Sequence, residues 1–137
     1  MARILIVEDE IIVASNLAAI LQELGHETVG IAADVKTAIS LAKHGADIAF
    51  VDLNLRDGLT GPQIGVELAD RLGITVVFLT ASPRMARDES GKVLGVVSKP
   101  LNDDMVEPVL EFALQLRNGN LAATPPKVLQ RFDRRAA

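Results

Sequence analysis

Acidic side chains follow two of the apolar segments in this sequence, and a lysine follows a third. Glu8 and Asp9 come directly after the first apolar run, Asp52 ends a second, and Lys99 follows the last. A buried carboxylate without a partner is among the costliest groups that a fold can hold. The acids therefore predict a site at which bound cations offset their charge.

Three carboxylates in one cleft predict a divalent-cation site. Two such groups 4 Å apart repel each other by about 4 kcal/mol at an effective dielectric constant near 20. Mg²⁺ fits because it takes oxygen ligands, uses few carboxylates and keeps several waters, and Mn²⁺ is the alternative. We expect Asp9 and Asp52 to bind it directly and Glu8 to bind through water. The backbone carbonyl of Asn54 would complete the protein's share.

Such a cation has room for one more oxygen anion, and a phosphoryl group fits. Asp52 is then the predicted nucleophile, because the end of a rigid strand holds its oxygen in line with an incoming phosphorus atom. Lys99 and the hydroxyl of Thr80 would pair with the phosphoryl oxygens. Each residue alone has an ordinary explanation as a turn former, a strand end or a surface lysine. Their joint occurrence after different strands favours chemistry.

Short β-branched runs alternate with helical ones, which is typical of an α/β domain with a parallel sheet. Strands are predicted at about 3–7, 27–31, 47–51, 74–79 and 93–97. Ligands of such sheets bind beyond the carboxyl ends of the strands, where the strand order reverses. If the order is 2-1-3-4-5, the reversal lies between the first and third strands, where the three acids end.

Helices fill the gaps between the strands. The first ends at Gly25 and the second is N-capped by Asp34. The remaining expectations are a third helix from Pro62 that buries Ile64, Leu68 and Leu72, a short or mobile one after Ser82, and a last one capped by Asn102. In the loop after Asp52, Arg56 and Asp57 are interpreted as solvated charges. His26 and His44 fall at the opposite edge of the sheet and are assigned no chemistry.

Composition narrows the classes of function. The chain has 137 residues, 49% of them hydrophobic and 3% aromatic, which predicts one domain with an aliphatic core. No signal peptide or membrane span is recognisable, so a cytoplasmic protein is expected. Residues 118–137 carry a net charge of +3 and the rest −7, a poor match for nucleic acid.

The chain changes character after residue 117. Asn118-Gly119 and Pro125-Pro126 are breakers, so we expect a domain over 1–117 and a flexible basic tail over 118–137. An amphipathic helical turn that contains Val128, Leu129 and Phe132 and docks on the acidic body is the alternative.

Over residues 3 to about 117 the sequence resembles the receiver domain of bacterial two-component response regulators. The matching motifs are ILIVEDE, VDLNL, VVFLTA and VVSKP. The resemblance implies a flavodoxin-like (βα)5 fold with strand order 2-1-3-4-5 and a cis Lys99–Pro100 bond. It also implies that a sensor histidine kinase or a histidine phosphotransfer protein donates phosphate to Asp52.

The stretch DLNLRDGLTG resembles stand-alone receivers. We therefore expect a signalling protein rather than an enzyme, a monomer or weak dimer whose output is contact with another protein. By the same resemblance, the contact surface comprises the last strand and the helices on either side of it. Receivers usually carry Tyr or Phe three residues before the lysine, where this chain has Val96. The signal is therefore expected to pass through Thr80 and residues 81–95 as a change in order.

Three alternatives stay open at this stage. A phosphatase of the haloacid-dehalogenase type also uses Mg²⁺ and an aspartyl phosphate, but it needs a second acid where this chain has Asn54. A flavodoxin-like cofactor binder needs a glycine- and hydroxyl-rich cradle after the first strand. A receiver-like module that binds proteins without being phosphorylated is the third alternative.

Overall fold

The computed structural model describes residues 1–87 and 92–132. In these ranges one sheet contains the strands β1 (Arg3–Val7), β2 (Glu27–Ala32), β3 (Ile48–Asp52), β4 (Thr75–Thr80), β5 (Gly95–Ser98) and β6 (Leu129–Gln130). The strands lie in the order β2-β1-β3-β4-β5-β6; the first five are parallel and β6 is antiparallel to β5. The predicted order 2-1-3-4-5 is confirmed, and β6 extends it.

Helices cover both faces of this sheet. They are α1 (Ile11–Glu23), α2 (Val35–Ala42), α3 (Gly61–Val66), which continues as a π-helical turn over Glu67–Arg71, and α4 (Asp103–Arg117). One core lies between the sheet and α1 with α4, and the other lies between the sheet and α2 with α3. Within the described ranges, no helix combines the length and the apolar character that crossing a bilayer requires.

Local chemistry explains several boundaries. The side chain of Asp34 accepts a hydrogen bond of 2.9 Å from the backbone N–H of Thr37, which confirms the predicted N-cap of α2. Gly25 follows α1 with a φ of 87°, the left-handed conformation that favours glycine. Asn102 precedes α4, but its side chain makes no capping hydrogen bond.

The burial predicted for Leu72 is wrong, since this residue is 41% exposed. The helix that begins at Gly61 ends in the π-helical turn Glu67–Arg71. A π-helical turn is wider than an α-helical one, so it moves the following residue out of the i, i+4, i+8 stripe. Ile64 precedes the π-helical turn and Leu68 lies near its start; both are fully buried, as predicted.

The segments on either side of β5 differ from expectation. The helix after Ser82, expected to be short or mobile, is short: it is the 3-10 turn Pro83–Met85, and residues 88–91 lie outside the described residues. The helical turn given as the alternative for the tail is wrong at residue 129, because Leu129–Gln130 forms β6. Leu129 is buried and Phe132 packs on Phe78, so 129–132 do not form a free tail. The domain boundary at 117 stays a prediction.

Candidate functional site

The acids that follow β1 and β3 converge. Ligand oxygens of Glu8, Asp9 and Asp52 all lie within 4.8 Å of one another. The convergence follows from the sheet, because β1 and β3 are adjacent and parallel and Val7 is in register with Val51. The residue that follows this pair in each strand is an acid, Glu8 after Val7 and Asp52 after Val51. The structure brings these three predicted residues together, and their role as metal ligands stays a prediction.

Two of the three carboxylates are buried. Glu8 is 2% exposed and Asp52 is 5% exposed, whereas Asp9 faces solvent. Asp52 is the last residue of a strand in which every residue is buried. Its Oδ1 accepts a hydrogen bond of 3.0 Å from the backbone N–H of Asn54. The sequence predicted a role for the carbonyl of Asn54, whereas the contact seen here involves its N–H.

Lys99 supplies the positive charge that the buried acids need. Its Nζ lies 2.7 Å from Oε1 of Glu8 and 2.7 Å from Oδ2 of Asp52. Burial alone would lower the pKa of Lys99, but its hydrogen bonds to Asp52 and Glu8 outweigh burial and raise that pKa. The backbone N–H of Lys99 donates to the carbonyl of Thr80. The Lys99–Pro100 bond is cis, as predicted.

The ionisation of Glu8 is unusual. Burial raises its pKa to about 7, and the neighbouring Asp52 also raises it. The hydrogen bonds from Lys99 and from the backbone N–H of Glu10 act in the opposite direction. One lysine therefore does not fully compensate two buried carboxylates, and the site has the electrostatic character of one that can accept a further cation.

Thr80 completes the set of predicted site residues. It is the last residue of β4, is 4% exposed, and its Oγ1 accepts a hydrogen bond of 3.1 Å from the N–H of Ser82. In the register between β3 and β4, Asp52 is opposite Leu79. Thr80 therefore lies one residue beyond Asp52 at the same edge of the sheet.

Comparison with known proteins agrees with this geometry. The profile of the family described as "Response regulator receiver domain" matches residues 4–110. The chain belongs to this family. The resemblance seen in the sequence and the predicted fold class are confirmed.

Curated relatives of this receiver domain include two larger regulators. The phyllosphere-induced regulator PhyR of Methylorubrum extorquens is 31% identical over 114 residues, which are 81% of this chain and 43% of PhyR. The transcriptional regulatory protein PdtaR of Mycobacterium tuberculosis is 32% identical over 118 residues, which are 82% of this chain and 56% of PdtaR. The chain spans about half the length of these relatives.

Solved structures show the same fold. The PhyR receiver domain of Erythrobacter litoralis superposes with a TM-score of 0.74 at 26% identity and covers 89% of this chain and 96% of that one. The N-terminal domain of a response regulator/sensory box/GGDEF protein from Carboxydothermus hydrogenoformans gives a TM-score of 0.75 at 30% identity. The match covers 87% of this chain and 98% of that domain.

One structural role in this receiver domain was missed at the sequence level. Asp57 is not merely a solvated loop charge, because its Oδ2 accepts a hydrogen bond of 3.1 Å from the backbone N–H of Val35 and its Oδ1 accepts one from the hydroxyl of Thr60. Both hydrogen bonds lower the pKa of Asp57, and the one from the Thr60 hydroxyl has the larger effect. Together with the hydrogen bond from Arg56 N–H to the carbonyl of Ala33, these contacts join the loop after Asp52 to the loop before α2. The Asp-x-x-Thr spacing was the available signal.

A cavity of about 370 Å³ adjoins the acids between α1 and the segment that follows β5. Glu8 and Lys99 form part of its wall, and most of the rest is apolar, including Leu17 and Leu101. Ile11 and Ile12, at the start of α1, are 66% and 75% exposed. The buried site is therefore next to an exposed apolar surface.

Proposed function

We propose that this receiver domain accepts a phosphoryl group on Asp52 from a histidine kinase or a histidine phosphotransfer protein, in a Mg²⁺-dependent reaction. The phosphorylated form then signals by contact with another protein. The observation that carries the proposal is the position of Asp52: a buried carboxylate at a strand end, beside Glu8 and Asp9 and bound by Lys99.

The orientation of Asp52 supports its role as nucleophile. The N–H of Asn54 holds one carboxylate oxygen and Lys99 holds the other, so the group is fixed before the donor arrives. A carboxylate oxygen of Asp52 attacks the phosphorus atom, and the bond from phosphorus to the donor's histidine nitrogen breaks. The electron pair of that bond stays on the histidine. Lys99 can then follow the negative charge from the carboxylate to the phosphoryl oxygens.

In this reaction Thr80 acts on the same phosphoryl group. Its oxygen accepts a hydrogen bond from Ser82, and its own O–H can still donate to a phosphoryl oxygen. Thr80 and Lys99 end neighbouring strands, and the N–H of Lys99 donates to the carbonyl of Thr80 at 2.8 Å. A movement of either side chain towards the phosphoryl group therefore acts on both strand ends.

The acidic residues fit a magnesium ion. A six-coordinate Mg²⁺ with bonds of about 2.1 Å separates its ligand oxygens by roughly 3 to 4 Å. The carboxylate oxygens of Glu8, Asp9 and Asp52 lie within 4.8 Å of one another, so small side-chain rotations suffice. Asp9 and Asp52 would hold the ion directly, and Glu8 would hold it through water. When bound, the ion neutralises charge on the phosphoryl group during transfer.

The surface around the site supports protein partners at both steps. Ile11, Ile12 and the cavity beside Lys99 offer an apolar contact for the phosphate donor next to Asp52. The net charge of −7 over residues 1–117 favours a protein over a nucleic acid as the downstream partner. We also propose that the chain acts in the cytoplasm as a receiver, a monomer or weak dimer.

Intact-mass measurement tests the proposal. The protein is incubated with acetyl phosphate in the presence of Mg²⁺ or of EDTA. We expect the mass increment of one phosphoryl group with Mg²⁺ only, and we expect Asp52→Asn to abolish it. Asp70→Asn, a change at an exposed carboxylate distant in sequence from the site, is the control and should retain it. An increment that survives in Asp52→Asn would refute Asp52 as the phosphoacceptor. No increment in the wild type would refute the proposal and leave the non-phosphorylated binding module.

A further inference from the structure

The C-terminal strap, defined here as residues 129–132, wraps around the edge of β5. Leu129 is in register with Val97 and is 5% exposed in the core beneath α1 and α4. The guanidinium of Arg131 lies 5.5 Å from the ring centroid of Phe112 on α4. Phe132 contacts the opposite core. The strap therefore packs against both faces of the sheet within four residues.

Two features of the sheet accommodate the strap. A Cβ at Gly95 would lie 2.7 Å from the carbonyl oxygen of Gln130 and 2.9 Å from Cδ1 of Leu129, so only glycine lets β6 approach β5 this closely. The ring of Phe132 meets that of Phe78 edge to face, with centroids 6.1 Å apart. These contacts are specific enough to make the strap a structural element, although its ladder consists of two residue pairs.

The strap contacts β4, which ends at Thr80, and β5, which Lys99 directly follows. Val97, the partner of Leu129, lies two residues before Lys99 in the chain. Phe78, the partner of Phe132, lies two residues before Thr80. A shift of either strand end therefore reaches the strap through a single intervening residue.

We propose that the strap masks an interaction surface on β5 and that modification of Asp52 weakens the binding of the strap to the sheet. This rests on the function proposed above. The strap is docked in the arrangement in which Lys99 contacts Asp52 and Glu8 at 2.7 Å. Lys99 must shift from Asp52 to reach phosphoryl oxygens. Its backbone N–H is bonded to the carbonyl of Thr80, so a shift that includes the Lys99 backbone displaces the end of β5, against which the strap is registered. A ladder of two pairs has little reserve against such a shift.

The unmasked surface has a defined chemistry. Release of the strap frees the backbone groups along the β5 edge and the apolar faces of Val97 and Phe78. An exposed strand edge binds extended segments through main-chain hydrogen bonds. The partner that fits is an extended peptide with the pattern of the strap itself, an aliphatic residue followed three positions later by an aromatic one.

Hydrogen exchange on the full chain tests the coupling. Beryllofluoride with Mg²⁺ serves as the phosphoryl mimic, and ¹⁹F NMR reports whether it binds. Energetic coupling between sites is typically about 5- to 150-fold. We therefore expect the amides of 129–132 to exchange at least about fivefold faster in the wild type with the mimic, and to be unaffected in Asp52→Asn.

Reciprocity provides the second measurement, because coupled sites affect each other by the same factor. Leu129→Ala should bind beryllofluoride more tightly by that factor, and Phe132→Ala should do so too. Leu121→Ala is the matched control, since this leucine is 83% exposed in the segment before the strap, and it should bind like the wild type.

The outcomes separate the two proposals. Binding of the mimic at Asp52 without faster exchange in the strap, or equal affinities for Leu129→Ala and Leu121→Ala, would overturn the strap's role and leave the phosphoacceptor function intact. Failure of the mimic to bind the wild type at all would overturn both.

Discussion

Removal of the Lys99 charge should destabilise the protein by about 3 kcal/mol at pH 7. In Lys99→Met, the side chains of Glu8 and Asp52, 1% and 6% exposed, lose the ammonium group that lies 2.7 Å from each. Breaking a buried ion pair costs about 3 to 5 kcal/mol. Glu8 limits the cost by taking up a proton. Because the pKa of Glu8 is already raised to about 7 in the wild type, half of that proton is in place at pH 7 before the substitution, and the expected loss lies at the lower end of this range.

The pH dependence distinguishes this mechanism from a simple packing defect. In the variant, the folded state keeps the proton on Glu8, whereas the unfolded state releases it above pH 4.5. Since Glu8 of the wild type also holds its proton below about pH 7, the loss of stability should change little between pH 4.5 and 7. It should grow by up to about 1.4 kcal/mol per unit as the pH rises above 7, where Glu8 ionises in the wild type only.

Urea denaturation in EDTA measures both quantities. Arg71→Met is the control, because Arg71 pairs with Glu67 at 3.5 Å on an exposed helix surface, where such pairs contribute about 0.3 to 0.5 kcal/mol. A loss in Lys99→Met below 1 kcal/mol at pH 7, or one that does not grow as the pH rises above 7, would refute the electrostatic account of the site.

Further predictions concern backbone approach and the amino-terminal edge. A Cβ at Gly61 would collide with the carbonyl oxygen of Asp52 and with Cα of Leu53 at 2.5 Å. Gly61→Ala should therefore lower the free energy of unfolding in urea by at least about 2 kcal/mol and slow labelling by acetyl phosphate. Gly30→Ala, whose Cβ meets a flexible leucine side chain, should cost less, and equal losses would contradict this account. Burial and the charge of the amino terminus lower the pKa of His26, and its Nδ1 accepts a hydrogen bond from the backbone N–H of Ala2. The wild type should therefore lose stability relative to His26→Gln as the pH falls below 6.5. Parallel pH profiles of the two proteins would argue against this prediction.

Much of the fold was predictable because buried strands have a strong sequence signal. The run that ends at Asp52 is apolar and every residue in it is buried, as expected for a strand covered on both faces. Parallel strands place their carboxyl ends at one edge, so residues far apart in the chain, such as Glu8 and Lys99, could be assigned to one site from strand positions alone. The pairing of donors and acceptors within that site, such as the hydrogen bond from the N–H of Asn54 to Asp52, depends on side-chain geometry that strand positions do not define.

Where prediction failed, neighbouring segments determine the structure. Val128, Leu129 and Phe132 have a spacing compatible with one helical turn, yet Leu129 is in a strand because the edge of β5 offers pairing and Gly95 permits close approach. Such tertiary pairing overrides local preference. The predicted burial of Leu72 was wrong for another reason. A π-helical turn shifts the helical phase, and the pattern of apolar residues in the sequence does not show where such a turn occurs.

The strap also bears on the aromatic residue that is absent near Lys99. Val96 is 2% exposed and lies in the same core as Phe78, and the aromatic side chain added to that core by the strap is Phe132. A ring on a strap can leave the sheet together with its backbone, whereas a ring at position 96 could change only its rotamer. If the two strand ends at Thr80 and Lys99 are where phosphorylation acts, the structural response is then detachment of a segment, and the separation of Phe132 from Phe78 is its direct measure.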